Sequence, residues 1–66
     1  MRKVKIRRFT GAGSETKSYV LEEAERVVSE ARRAGTLVID EDKEEVIDRI
    51  TPEVQRILLV NPIAGG

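Results

Sequence analysis

The fold can be predicted from residues 3–35, KVKIRRFTGAGSETKSYVLEEAERVVSEARRAG, in which the spacing of the apolar residues changes once. At the start, Val4 and Ile6 alternate with cationic residues, which is the period of a half-buried strand. Later, apolar residues recur every three or four positions, which is the period of an amphipathic helix. The stretch therefore predicts strand, strand and helix in that order.

The first part of this stretch is predicted to be a hairpin. We place one strand over residues 3–9, a turn over residues 11–14 (GAGS) and the returning strand over residues 16–21. The returning strand has an alternative, because Ser18 can instead cap a helix that already includes residues 19–21. We prefer the strand.

The helix is predicted from Glu22 to just before Gly35. Glutamates crowd its first turn and arginines its last, an order that matches the helix macrodipole. Gly35 is suited to the left-handed conformation that commonly ends a helix. The apolar stripe consists of Ala24, Val27, Val28, Ala31 and Ala34.

The rest of the chain predicts at least two more strands. Residues 36–39 (TLVI) form one of them, and residues 54–60 form the last. The last strand lacks alternation, so we expect it in the centre of the sheet. The acidic residues 40–45 are expected to form a solvated turn, and residues 46–50 either a brief strand or one helical turn.

This order of elements predicts an α+β fold of two layers, because a single helix has to cover one face of the sheet. The preference for right-handed crossovers allows the first and last strands to pair in parallel around that helix. The result is a β-grasp fold, a mixed sheet of four to five strands with one main helix on one face. We expect residues 1–61 to form this domain and residues 62–66 to form a flexible C-terminal tail. The expected core packs Val20, Leu21, Ala24, Val27, Val28 and Ala31 on Val4, Ile6, Leu37, Ile39, Ile57 and Leu59.

Composition limits the chemistry that the chain can perform alone. Twelve Lys and Arg residues balance twelve Asp and Glu residues, which argues against nucleic acid or an acidic membrane as a partner. The chain has no cysteine and no histidine, so it lacks a thiol nucleophile and the commonest general base. No apolar run is long enough to cross a bilayer, and the N-terminus does not resemble a signal peptide. We therefore expect a cytoplasmic protein that is not an enzyme.

The acidic run at residues 40–45 does not predict a metal site. A calcium-binding EF-hand loop requires glycine at its sixth position for a sharp turn, and Glu45 occupies that position. Lys43 also lies within the run. A solvated turn is the better interpretation.

The C-terminus is the most informative feature for function. Gly65 and Gly66 have no side chains, so a tail that ends in them is thin enough to enter a narrow channel and present its carboxylate to another protein. Pro62 is expected to stop the last strand and direct the tail away from the domain. The alternative is an ordinary frayed end.

The ending RILLVNPIAGG, residues 56–66, resembles the ends of the MoaD and ThiS sulfur-carrier proteins, in which an apolar last strand leads into a Gly-Gly tail. The resemblance implies that a ubiquitin-activating-type adenylating enzyme uses ATP to adenylate the carboxylate of Gly66. Sulfur from a persulfide then displaces AMP and leaves a thiocarboxylate. A sulfur-accepting synthase would use that sulfur for molybdopterin, thiamine or tRNA thiolation. The ATP belongs to the partner enzyme, and the chain itself is expected to bind no cofactor.

Two other functions remain open at this point. Gly66 could instead be joined to lysines of a target protein, or the chain could be a structural or designed α+β module. For a carrier, the acyl-carrying residues are Gly66 and Gly65. The predicted partner-docking residues are Ala64, Ile63, Pro62, Leu58, Lys5 and Arg7.

The docking prediction for the first strand depends on alternation. Lys3, Lys5 and Arg7 are expected to project from the sheet face opposite the helix, with Arg8 nearby. An apolar surface with a charged rim is typical of a partner site. The alternative is an open face that lysine and arginine keep soluble.

Overall fold

The computed structural model describes residues 2–61, which form five strands and one helix. The elements are β1 (Lys3–Thr10), β2 (Gly13–Val20), α1 (Leu21–Arg33), β3 (Leu37–Asp40), β4 (Glu45–Val46) and β5 (Arg56–Val60). The strands form one mixed sheet in the order β2-β1-β5-β3-β4, in which β1 and β5 are parallel and the other neighbouring pairs are antiparallel. This is the predicted α+β architecture with the β-grasp arrangement. The predicted tail, residues 62–66, lies outside the described residues.

The hairpin is longer than the sequence predicts. Its turn contains only residues 11–12, and β2 begins at Gly13 rather than at residue 16. Residues 13–15 are a glycine and two polar residues, all exposed, so no apolar alternation marks them as a strand. The returning strand is confirmed as far as Val20, but Leu21 is the first residue of α1 and not the last of the strand. A helix cap at Ser18 is wrong, because that residue pairs with β1 and Val20 is the N-cap residue.

The C-terminal end of α1 is formed as predicted. Gly35 adopts a left-handed φ of 85°, which glycine tolerates because it has no Cβ. Its N–H donates to the carbonyl of Arg32 at 3.0 Å, and the N–H of Thr36 donates to the carbonyl of Ala31 at 2.8 Å. These two bonds are the Schellman closure of a helix.

The core lies between α1 and one face of the sheet. Its buried residues are Val4, Ile6, Ala24, Val28, Val38, Val54, Ile57 and Leu59. Tyr19, Leu21, Val27 and Ala31 are partly buried against them. Ile47 and Ile50, which are outside the predicted core, are also partly buried against it. Most of the predicted core is confirmed, with two corrections in the strands and one further fully buried residue.

The corrections concern β2 and β3. Val38 is the buried residue of β3, whereas Leu37 is 41% exposed and Ile39 shares its face, so the predicted inward set is wrong by one residue. In β2, Tyr19 rather than Val20 packs on the core. The further buried residue is Val54, which lies just before β5. The strand β5 itself starts two residues later than predicted.

The acidic segment after β3 is not a wholly solvated turn. Asp40 belongs to β3 and is 3% exposed. Its Oδ1 accepts hydrogen bonds from the backbone N–H groups of Asp42 at 3.0 Å and Lys43 at 3.4 Å, which fixes the turn into β4. Of the two alternatives for residues 46–50, the structure has a brief strand, but it covers Glu45–Val46 and includes only the first residue of that segment.

Candidate partner-docking face

One face of the sheet is not covered by α1, and we call it the open face. In β1, Val4 and Ile6 point into the core, so Lys3, Lys5, Arg7 and Phe9 alternate onto the open face. In β5, Ile57 and Leu59 are buried, so Leu58 and Val60 point the other way. The predicted direction of Lys3, Lys5 and Arg7 follows from this alternation.

The register of the strands groups apolar side chains on the open face. Leu58 is paired with Ile39, and Val60 with Leu37, while Val46 lies beside Ile39 on the next strand. We call these five residues the apolar patch. Val46 is 65% exposed. Leu37 is exposed as well, and the other three residues are partly buried. Adjoining apolar side chains that remain open to solvent can mark an interaction site.

The apolar patch borders a row of cations on β1. Arg7 is paired with Leu58, and Lys5 with Arg56, so the predicted docking residues of the domain lie side by side. We call Lys3, Lys5 and Arg7 the basic strip. The exposed Phe9 ends this row, and the guanidinium carbon of Arg7 lies 5.9 Å from its ring centroid. Their role in docking stays a prediction.

The cations of this face differ in how far they are already neutralised. Arg7 Nη1 lies 3.9 Å from a carboxylate oxygen of Glu41. Arg56 donates to the carboxylate of Asp42, and this hydrogen bond raises the pKa of Arg56 above its ordinary value. Lys3 and Lys5 have no ion-pair partner among residues 2–61. Among the cations of the open face, those without an ion pair therefore lie at the start of β1.

The point at which the chain leaves the sheet is fixed by a side-chain hydrogen bond. β5 ends at Val60, as predicted, and the next residue is Asn61. The Thr36 hydroxyl donates to Oδ1 of Asn61 at 2.7 Å, which ties the end of β5 to the start of β3. A surface depression at this end is lined by side chains that include Arg8, Val27 and Asn61.

Arg8 therefore does not belong to the open face. Its neighbours in sequence, Arg7 and Phe9, project from that face, whereas Arg8 alternates to the helix side. The sequence interpretation also missed most of the apolar patch, since Leu37 and Ile39 were assigned to the core. Alternation counted back from Asp40 places Leu37 and Ile39 inward if Asp40 is taken as exposed. That count fails because Asp40 is itself buried.

The described residues form no metal site and no membrane-spanning helix in addition to the open face. Within residues 2–61, no group of three or more acidic side chains is arranged to hold a metal ion. No helix in this part of the chain is both long and apolar enough to cross a membrane. The open face is thus the candidate site that the geometry supports, and the predicted tail residues Pro62, Ile63, Ala64, Gly65 and Gly66 lie outside the described residues.

No family model matches the chain, and comparison with curated proteins and with solved structures finds no similar protein.

Proposed function

We propose that this chain is a sulfur-carrier protein of the ubiquitin-like type, which is activated at the carboxylate of Gly66 by a partner enzyme. The observation that carries the proposal is a Gly-Gly segment, NPIAGG, that follows the last strand of a β-grasp domain. That strand, β5, lies between β1 and β3 in the sheet. A rigid central strand is a suitable base for a tail that has to enter another protein's active site.

The chemistry that the proposal requires belongs to the partner. The carboxylate of Gly66 attacks the α-phosphate of ATP, pyrophosphate leaves, and an acyl-adenylate forms. The terminal sulfur of a persulfide on the partner then attacks the carbonyl carbon and displaces AMP. A thiol cleaves the resulting acyl disulfide and releases the thiocarboxylate. This chain supplies the acyl group, and it has no cysteine or histidine with which to perform these steps itself.

The open face supports the proposal as the surface that the partner enzyme holds. Its apolar patch offers exposed valine and leucine side chains, and the lysines of the basic strip offer unpaired charge. A partner surface with an apolar centre and carboxylates at one side would complement both. Docking through the domain leaves the tail free to extend into the partner's active site.

The experiment that tests the proposal is mass spectrometry of the intact protein from its native host, before and after treatment with iodoacetamide. The chain has no cysteine, so alkylation requires an added sulfur group. We expect a species in which sulfur replaces one oxygen, and fragment ions that place it on Gly66. The proposal requires that Gly66 is the C-terminal residue of the protein in the cell, and the intact mass in the same spectrum tests this requirement.

The control is a chain that lacks Gly66, which should neither form the adenylate nor become alkylated. Gly65→Ala should slow activation, because a methyl group next to the reacting carboxylate obstructs a narrow channel. Failure of the intact chain to form an adenylate with ATP and the host's activating enzymes would refute the proposal. Recovery of Gly66 in amide linkage to lysines of other proteins would replace sulfur transfer with protein modification.

A second experiment tests the docking face separately. Lys5→Glu reverses a charge of the basic strip, and we expect it to weaken binding to the activating enzyme. Arg26→Glu is the matched control, because it makes the same change in net charge at an exposed position of α1, which lies on the other side of the sheet. Equal effects of the two substitutions would contradict docking through the open face.

A further inference from the structure

We propose that two copies of this chain associate through the free edge of β2, which pairs antiparallel with its counterpart about Thr16. The two sheets would then join into one continuous sheet of ten strands. This association uses the backbone edge of β2 and needs neither the apolar patch nor residues 62–66, so it can be tested independently of the proposed carrier function.

The free edge of β2 is long and accessible. The sheet order places β2 at one end and β4 at the other, and β4 contains only two residues. β2 contains eight residues, of which the first six are exposed. An edge strand presents unpaired backbone N–H and C=O groups, which makes it a template for a strand from another chain. β2 is therefore the edge at which such pairing has the most backbone groups to satisfy.

The hairpin register determines which backbone groups face outward. The N–H of Leu21 donates to the carbonyl of Arg2 at 3.2 Å, next to the pair Val20 and Lys3. Hydrogen-bonded and non-hydrogen-bonded pairs alternate along an antiparallel ladder, so the backbone groups of alternate β2 residues point toward β1. The backbone groups of Ser14, Thr16 and Ser18 therefore point away from the sheet.

A twofold axis at Thr16 pairs all three of these outward residues. Thr16 lies opposite Thr16 of the second copy, and Ser14 lies opposite Ser18 at both ends. Each pair exchanges two backbone hydrogen bonds, so the interface gains six. Threonine and serine pairs are also favourable neighbours across strands.

The same register makes the charges of β2 complementary. Lys17 Nζ already lies 3.2 Å from Oε1 of Glu15 within one chain, and both side chains are about half exposed. With the axis at Thr16, each Glu15 lies opposite Lys17 of the second copy in a non-hydrogen-bonded pair, where side chains approach most closely. The four charges then alternate in sign.

Other registers lack this complementarity. A twofold axis at Glu15 places two glutamates directly opposite each other, and an axis at Lys17 does the same with two lysines, which is unfavourable. An axis at Ser14 carries the pairing into the turn, and an axis at Ser18 leaves the two charges without opposite charges across the interface. The sequence of β2 thus favours one register.

The axis at Thr16 also places Tyr19 opposite Gly13 of the second copy. Both residues lie on the helix side of the sheet, since Tyr19 packs on the core. An aromatic ring that covers a glycine on the neighbouring strand stabilises that pair. Because of the twofold symmetry, this contact occurs twice.

The first test is sedimentation equilibrium of the purified chain over micromolar to millimolar concentrations. We expect a reversible monomer–dimer equilibrium. Thr16→Pro removes the outward N–H of both copies, so two central hydrogen bonds are lost and the dissociation constant should rise by about tenfold or more. Proline is tolerated at this position because its missing N–H faces away from β1. Circular dichroism and thermal melting of the variant confirm that the monomer still folds.

The second test exchanges the charges. Glu15→Lys alone and Lys17→Glu alone should each lose the dimer, because like charges then meet across the axis. An equal mixture of the two variants should regain it as a heterodimer, which native mass spectrometry resolves. Glu25→Lys, an exposed substitution on α1, is the control and should dimerise as the unmodified chain does.

Two results would overturn the proposal. One is a chain that remains monomeric at millimolar concentration. The other is a dimer whose dissociation constant is unchanged by Thr16→Pro and by both charge variants, since its interface would then lie elsewhere.

Discussion

Replacement of Ile57 by alanine tests the fold and the identity of the open face together. Ile57 is fully buried in β5, where it is paired with Ile6 of β1 and Asp40 of β3. Ile→Ala at such a site costs about 2–5 kcal/mol, since the side chain loses its burial and leaves a cavity. At about 0.05–0.15 kcal/mol per residue, the whole domain is stable by about 3–10 kcal/mol. The substitution should therefore remove roughly half of the free energy of unfolding.

The assay is urea denaturation followed by circular dichroism, with Leu58→Ala as the matched control. Leu58 is the next residue of the same strand, but it is only partly buried and lies on the open face. We expect Leu58→Ala to cost less than half as much as Ile57→Ala, with an unchanged dependence on urea concentration. A larger loss at Leu58 than at Ile57 would refute the reasoning, because the two faces of β5 would then be exchanged.

Two further predictions concern the loops beside β4 and β5. Glu44 has a left-handed φ of 55°, so Glu44→Gly should relieve backbone strain and raise the unfolding free energy by up to about 1 kcal/mol; a lower melting temperature would contradict this. Lys43 lies 2.8 Å from Glu53, and their hydrogen bond lowers the pKa of Glu53 below 4.5. The stability that this ion pair contributes is fully present above pH 4.5 and is lost as the pH falls through the lowered pKa of Glu53 in the folded protein. Lys43→Gln should therefore lower the melting temperature at neutral pH but not in strong acid. A difference that persists in strong acid would rule out this ion pair as its cause.

The elements that were predicted well are those whose apolar residues have a clear period. The alternation around Val4 and Ile6 gave both the strand and its buried face, and the stripe that includes Ala24 and Val28 gave the helix. These local patterns, together with the parallel pairing of the first and last strands, were sufficient for the β-grasp arrangement. The end of the helix was also predictable, because Gly35 has a conformation that other residues adopt at a cost.

The parts that were predicted poorly lack such a period. Residues 36–39 are apolar or β-branched without alternation, so the sequence does not show whether Val38 or its neighbours face the helix. Only the register with β5 determines this, because Val38 is paired with the buried Leu59. The apolar patch was missed for the same reason. Asp40 was assigned to solvent on its charge alone, although its carboxylate accepts two backbone hydrogen bonds in a tight turn.

The formal net charge of zero conceals a separation of charge along the sheet. β1 contains four cations and no acid, whereas residues 40–45 contain five acids and one lysine. The sheet order places the acidic segment on the β3 side of β5, opposite to β1, and Glu41 reaches across to lie 3.9 Å from Arg7. The neutral composition thus limits overall attraction to polyanions, but it does not exclude a local acidic partner at Lys3 and Lys5.

The position of these lysines constrains how a partner could engage both the domain and the tail. β1 and β5 are parallel and Lys5 is paired with Arg56, so the unpaired lysines lie at the start of β5. The chain leaves the sheet at the other end of that strand, beyond Val60. The two points are separated by four residue steps, or about 13 Å of strand. A partner that contacts the lysines and also receives the tail has to extend along the whole of β5, and Leu58 lies at the middle of that path. Lys5 and Leu58 should therefore act together in recognition, although only one of them is charged.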